Sequence, residues 1–565
     1  MTRPQQRLRG GGRIALAGLM ALAACATVPE PSPPEAALKS FTGPALLAHI
    51  RTLSSDEFEG RAPGTRGEQL AVKYIEDQFR SLSLEPGNPD GTYDQKVPLV
   101  GITPDPAMTL EFSGAGRNAK PVHLAFRDDF VAWTKREVED VSVDADTVFA
   151  GYGITAPEYN WDDFKGADLK GKMLIVLVND PGYEDASLFG GKAMKYYGRW
   201  TYKYEKAAEL GAAGCLIVHE TGPAGYPWAV VALKSGEQMD LASADKNMGR
   251  AAAEGWITLD TAQKLFKMAG KDFAELKKAA LGRDFRPVPL GLRAQMRIHN
   301  TLRHVESTNV LAKLTGSDPK HNKEFVVYTA HWDHFGIGPA VNGDKIYHGA
   351  LDNASGVGAL IEIARAFKQL QVPPRRSILF LSVTAEEQGL LGSQYYSLHP
   401  LYPLAQTAVD INMDVMNALG RTRDIVMIGR GSSTLDEVVD AAAGEQGRTV
   451  KPDPEPEKGF FYRSDHFNFA HEGVPAFDPE GGVDYIGRPE GWGLEQRERY
   501  TREDYHKPSD KVKPDWDLSG AVQDMQLYFL VGYRVANDAK LPQWKPGAEF
   551  KAKREAMLRA AGKKQ

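Results

Sequence analysis

Phe325-Val-Val-Tyr-Thr-Ala-His331-Trp-Asp333-His334 is an almost wholly apolar run that ends abruptly in imidazole and carboxylate side chains. Six residues without polar alternation predict a strand buried on both faces, the texture of a parallel sheet. Ser377-Ile-Leu-Phe-Leu-Ser-Val383 has the same texture and leads into Glu386-Glu387. Ala408 to Met413, with Val409, Ile411 and Met413 on one face, leads into Asp414. Between the first two runs, apolar residues at 357, 360, 361, 364 and 367 recur at helical spacing. Strands alternating with helices imply an α/β fold with a doubly wound, mostly parallel sheet.

Working outward, Thr65-Arg66-Gly67-Glu68 has capping-box spacing, and Val72, Ile75, Phe79 and Leu82 continue it as an amphipathic helix over about 66–83. From about 104 to 295 the texture changes to short apolar runs, Met173-Leu-Ile-Val-Leu-Val and Cys215-Leu-Ile-Val-His219, around a helical stretch at Tyr204 to Leu210. No cluster there looks like a site. Phe550 to Gln565, rich in Lys, Arg and Ala, reads as a solvated helix or frayed end. No internal repeat occurs at a fixed period.

The 565 residues, 42% hydrophobic and 25% charged, can bury a large core, which excludes a disordered or polytopic membrane chain. A formal charge of −6 offers no basic field for nucleic acid. Arg3, Arg7, Arg9 and Arg13 precede the apolar run Ile14 to Ala24, an export signal too short to span a bilayer comfortably. Leu22-Ala23-Ala24-Cys25 resembles a bacterial lipobox, with the Pro-rich stretch from Val28 to Glu35 as a tether. Removing residues 1–24 takes the charge from −6 to −10, so membrane attachment rests on a lipid at Cys25. The other cysteine, Cys215, reads as a buried hydrophobe.

Three predicted strands therefore carry ionisable residues at their carboxyl ends, the edge where open α/β sheets bind ligands. Gly349-Ala-Leu-Asp352-Asn-Ala-Ser-Gly356, ahead of a helix, and Tyr505-His506-Lys-Pro-Ser-Asp510 complete the set. His331, His506, Asp352, Glu387 and Asp414 supply imidazole and carboxylate without thiolate, a donor set suited to zinc. Three carboxylates and one hydroxide neutralise two divalent cations, so a pair of metals sharing one carboxylate is permitted. Asp333, two residues after His331, is close enough to fix the imidazole tautomer. Glu386 and Glu387 can face one cleft only if the chain leaves strand geometry there.

These ordered motifs resemble the M28 family of co-catalytic zinc peptidases, over roughly 41–103 and 296–535, and Leu53 to Gly67 looks like that family's opening segment. The resemblance implies two zinc ions, with Asp352 bridging, His331 and Asp414 completing one site, and Glu387 and His506 the other. It places Glu386 as general base, Tyr505 as a donor to the oxyanion, and a strained peptide link at Asp352–Asn353. His334 and His348 fall in supporting or rim positions, and Asp510 in the turn of His506. Arg463-Ser-Asp-His466 is open between lining a substrate pocket and packing a loop. The segment 104–295, with Gly151-Tyr-Gly153, resembles the protease-associated domain inserted in some zinc peptidases; a generic α/β insertion is the alternative.

The expected organisation is signal peptide 1–24, tether 25–40, peptidase domain 41–103 and 296–540, insertion 104–295 and tail 541–565. The implied activity is release of N-terminal residues from peptides by an exported, periplasmic enzyme anchored to the outer membrane as a lipoprotein. Alternatives are a carboxypeptidase of the glutamate carboxypeptidase type and a non-catalytic receptor. The complete ligand set argues against the single-zinc glutaminyl cyclases and the receptor.

Overall fold

The computed structural model describes residues 35–114, 120–233 and 236–562. The signal segment, Cys25 and most of the tether lie outside the described residues.

Four strands form a parallel block in the order Ser377–Val383, Phe325–His331, Thr407–Asn412, Ala476–Glu480. His331 pairs with Val383 and Thr329 with Asn412, which brings the carboxyl ends of the first three strands to one edge. Alternate residues of Phe325–His331 serve two cores, as the unbroken apolar run requires. Val326, Tyr328 and Ala330 pack with Leu360 and Phe367 of helix Ala354–Lys368 and with Tyr528 and Val531 of helix Ser519–Asn537. Phe325 and Val327 pack on the opposite face with Tyr396 of helix Leu391–Leu398 and Phe469 of helix His466–His471. The sheet is thus doubly wound at its centre, and mixed at its flanks. Asp424–Ile428 runs antiparallel to Ala476–Glu480, and Val288–Leu314 antiparallel to Ser377–Val383.

Val288–Leu314 is one uninterrupted strand of 27 residues that belongs to two sheets. Its first half pairs with Thr109–Gly114 and Asp140–Phe149, its second with Asp94–Pro104 and Ser377–Val383. Leu290, Leu292, Ala294, Met296 and Ile298 are buried in alternation, and Val310 to Ala312 are buried without a break, so the pattern changes where the strand enters the central sheet. The expected 295/296 border therefore falls inside a strand rather than in a linker. The insertion builds its own core around Met173–Leu177, Gly214–His219 and Ala253–Thr258, all parallel, and returns the strand Gln238–Leu241 to the edge of Asp94–Pro104.

The segment expected to be a solvated helix or frayed end forms a helix, Lys551–Ala560, in which only Arg554 and Leu558 are buried. Helix Lys551–Ala560 is docked: Arg554, 4% exposed, donates to the carbonyls of Leu404 at 3.0 Å and Thr407 at 2.8 Å. Trp544 and Phe550 are buried ahead of it. A Lys/Arg-rich composition concealed this because the arginine is buried by its bonds to carbonyls rather than by apolarity.

Phe380, fully buried against Phe79, Tyr328 and Phe367, is expected to report the central core. In urea unfolding, Phe380→Ala should lose about 3–5 kcal/mol. Val372→Ala, at a site 67% exposed, should change stability by less than about 0.5 kcal/mol.

Candidate metal centre

The site stands on short departures from regular structure at the carboxyl edge of the sheet. His331 is the last residue of its strand. Glu386 and Glu387 follow Ser377–Val383 after Ala385, whose φ of 53° turns the chain out of strand geometry. Val415, after Asp414, has φ 60°, and His506 itself has φ 56°. Left-handed backbone is costly for such residues and persists where surrounding contacts impose it. The expected exit from strand geometry at Glu386-Glu387 is therefore present.

Asp352 joins two groups of donors. Its Oδ1 lies 3.3 Å from His331 Nε2, and its Oδ2 lies 3.3 Å from His506 Nε2. His331 Nε2 is also 3.3 Å from Asp414 Oδ1, and His506 Nε2 is 3.1 Å from Glu387 Oε2. Two atoms about 2.0–2.1 Å from one tetrahedral zinc are about 3.3 Å apart, so all four separations fit ligands of a common ion. Glu386 Oε2, 4.0 Å from His331 Nε2, stands beside the first group without joining it.

The bonds of these groups fix their protonation. His331 Nδ1 donates to the Asp333 backbone carbonyl at 3.2 Å, which leaves Nε2 to face the carboxylates of Asp352 and Asp414. Burial alone would lower the pKa of His331, but Glu386, Asp414 and Asp352 raise it well above the usual imidazole value. Burial likewise opposes charge on His506, yet Glu387 and Asp352 lift it to about 9. Burial and Asp352 push Glu387 up, whereas His506 and His334 bring it down to about 2. Protons on the imidazoles thus balance the carboxylates, and cations bound at the same atoms displace those protons.

Around the donors lies a scaffold of buried hydrogen bonds. The Asp333 carboxylate, with Oδ1 3.8 Å from His331 Nδ1, accepts instead the backbone N–H groups of Glu386 at 3.0 Å and Glu387 at 3.3 Å. Its expected grip on the imidazole is therefore made by its carbonyl, and its side chain positions the two glutamates. Asp510 accepts from the Leu351 amide at 3.0 Å and the Asp352 amide at 3.0 Å, and burial pushes its carboxyl up to about 6. The Asp352–Asn353 peptide is cis. Asn353 donates to the Met413 carbonyl at 2.9 Å and accepts from the Gly356 amide at 2.8 Å. A Cβ on Gly356 would lie 2.4 Å from that same carbonyl, so glycine is required. Ser464 donates to Asp414 Oδ2 at 2.8 Å, which resolves one residue of Arg463-Ser-Asp-His466 as a neighbour of the site.

His334, expected in a supporting or rim position, lies among the donor groups, and Arg61 was not anticipated. His334 is fully buried with Nδ1 2.6 Å from Glu387 Oε1, the oxygen opposite the one near His506, and belongs with Asp352 and Glu387 to a possible metal-holding group. Its place three residues after His331 was the available signal. Arg61, fully buried, donates to the carbonyls of Trp332 at 2.8 Å, Leu53 at 2.6 Å, His348 at 2.8 Å and Gly349 at 2.9 Å. It ties the opening segment to the loops of His331 and Asp352, and burial lowers its pKa to about 10. Nothing in the spacing of Gly60-Arg61-Ala62 announces this role. Tyr505 stacks on His506 with ring centres 3.6 Å apart. His348, 2% exposed, donates to the Ser54 carbonyl at 3.1 Å.

Residues 309–530 match peptidase family M28. The chain is 35% identical over 144 residues to aminopeptidase NAALADL1 of Mus musculus, covering 24% of this chain and 17% of that one. It is 34% identical over 111 residues to aminopeptidase YwaD of Bacillus subtilis, covering 20% and 22%. The chain thus spans less than a quarter of the length of these relatives. The structure of an aminopeptidase from Aneurinibacillus sp. strain AM-1 superposes with a TM-score of 0.51 at 20% identity, over 89% of this chain and 96% of that one, which establishes the α/β fold.

Because Asp510 holds the backbone that aims Asp352, Asp510→Ala is expected to weaken zinc binding about 10- to 100-fold in chelator competition. Zinc affinity unchanged from wild type would show that the loop orients Asp352 unaided.

Proposed function

We propose that the protein is an exported zinc metallopeptidase that releases N-terminal residues from peptides. The observation that carries the reading is the pair of Asp352 oxygens, each 3.3 Å from a different imidazole. On this reading two zinc ions bind, one by His331, Asp352 and Asp414, the other by Asp352, Glu387 and His506. When bound, the ions polarise the scissile carbonyl and lower the pKa of water.

The chain's own residues supply the rest. Glu386, its side chain 10% exposed and outside both donor groups, takes the proton of the attacking water and delivers it to the leaving amine. Asp333, bonded to the Glu386 amide at 3.0 Å, holds that carboxylate in place. Tyr505, a phenol protonated at neutral pH, donates to the developing oxyanion. The segment 104–295 acts as a protease-associated domain that restricts access to the cleft. Arg3 to Ala24 directs export, and a lipid on Cys25 anchors the chain to the outer membrane from the periplasmic side. Among the described residues no helix is long and apolar enough to cross a membrane.

A carboxypeptidase is the second reading, and one observation favours it. Arg199 Nε is buried without a hydrogen-bond partner, and Arg463 is near enough to oppose its charge. Among the described residues neither guanidinium is ion-paired with a carboxylate, an arrangement that suits the carboxylate of a substrate.

Glu386→Gln is expected to keep zinc content near wild type while kcat falls about 10²- to 10⁴-fold; retained turnover would remove Glu386 from the mechanism. Cleavage confined to peptides with free amino termini, and abolished by chelator, is the expected specificity. Hydrolysis of N-blocked peptides from the other end would select the carboxypeptidase.

A further inference from the structure

The last segment of the chain makes a contact that the chemistry above does not use. Trp544 donates to the Gly473 carbonyl at 2.9 Å, and Arg554 to the carbonyls of Leu404 and Thr407, so the span between them is fixed at both ends to the peptidase part of the chain. Glu549 lies in that span. Its Oε1 accepts the Tyr196 amide of the insertion at 3.1 Å, and its Oε2 accepts the Tyr462 hydroxyl at 2.8 Å, from the loop ahead of helix His466–His471. One carboxylate therefore joins three segments remote in sequence.

The surroundings give these two bonds their weight. Tyr196 and Tyr462 are 8% and 6% exposed, with ring centres 5.9 Å apart. Phe550, beside Glu549, sets its ring 6.4 Å from that of Phe461 and 13° from parallel to it. Burial pushes the Glu549 carboxyl up, and its two donors and Lys195 oppose that shift. A buried polar group left without a partner costs about 1–3 kcal/mol, so the carboxylate and its two donors hold one another in register.

The clamped loop leads to the metal centre. Two residues after Tyr462, Ser464 donates to Asp414 Oδ2 at 2.8 Å and accepts from Asn412 Nδ2 at 2.7 Å. Asp414 is the most open member of the first donor group, its side chain 22% exposed against 1% for His331 and 4% for Asp352. Its pose rests the more on Ser464. Glu387, in the second group, is seated by His334 and the Asp333 carboxylate instead.

Resting on the two-zinc reading, we infer that Glu549 is a positioning residue for the first zinc ion. Through Tyr462 and Ser464 it holds Asp414 in its ligating pose, and through Tyr196 it makes that pose depend on the seating of the insertion.

Chelator competition on the zinc-loaded protein tests this. Glu549→Ala should weaken one of the two ions about tenfold and leave the other unchanged. Glu549→Gln, which keeps an acceptor for Tyr196 and a polar partner for Tyr462, should bind both as wild type does. In an Asp414→Ala background, Glu549→Ala should not affect the remaining ion. Tyr462→Phe, which keeps the ring and loses only the hydroxyl, should reproduce the selective loss even where Glu549→Ala fails to fold. Both ions weakened alike, neither weakened, or a Gln variant as impaired as the Ala variant would overturn the positioning role. Should wild type bind no zinc, the metallopeptidase reading fails, and hydrogen exchange at the amides of 195–199 and 460–464 decides. Faster exchange in Glu549→Ala but not in Glu549→Gln keeps the clamp, and equal exchange in wild type and both variants overturns it.

Discussion

Asp352 is the constraint on which the rest depends. Its two oxygens face different imidazoles at equal distances of 3.3 Å, and everything nearby fixes that pose. Asp510 takes the amides of Leu351 and Asp352, Asn353 is bonded to Met413 at the end of the neighbouring strand, and Arg61 holds the carbonyls of His348 and Gly349. Metal ligands oriented by such outer contacts lose little conformational freedom on binding, which is the physical basis of a tight and well-shaped site.

The same contacts explain why so much charge can be buried at one sheet edge. Carboxylates in a low-dielectric setting are tolerated when they are bonded, and here the partners are imidazoles, backbone amides and the Ser464 hydroxyl. Asp333 shows the economy of the arrangement. Its carbonyl sets the tautomer of His331 while its carboxylate seats the amides of Glu386 and Glu387. Two adjacent glutamates are thus positioned by the residue that also orients the first imidazole.

Much of this was legible because the fold places its chemistry at strand ends. The apolar runs at 325–330 and 377–383 are buried on both faces, and a run of that kind followed by His or Glu announces both a strand and what it delivers. Other features were hidden for identifiable reasons. The strand Val288–Leu314 crosses from one sheet to the other, so its burial pattern changes partway and no turn residues mark the passage. Arg61 and Arg554 are buried by bonding to carbonyls, and residue type alone reads such arginines as solvated. The tie between Glu549 and Tyr196 depends on the last segment of the chain returning to the insertion, a long-range pairing that no local periodicity encodes.

The central claim is that two cations share Asp352. Anomalous diffraction at the zinc edge, from crystals of the protein purified with zinc, tests it most directly. The account predicts two peaks about 3.5–4 Å apart, one beside each Asp352 oxygen, the first also contacting His331 and Asp414 and the second Glu387 and His506. A single peak, or two peaks of which either lies away from Asp352, would contradict it.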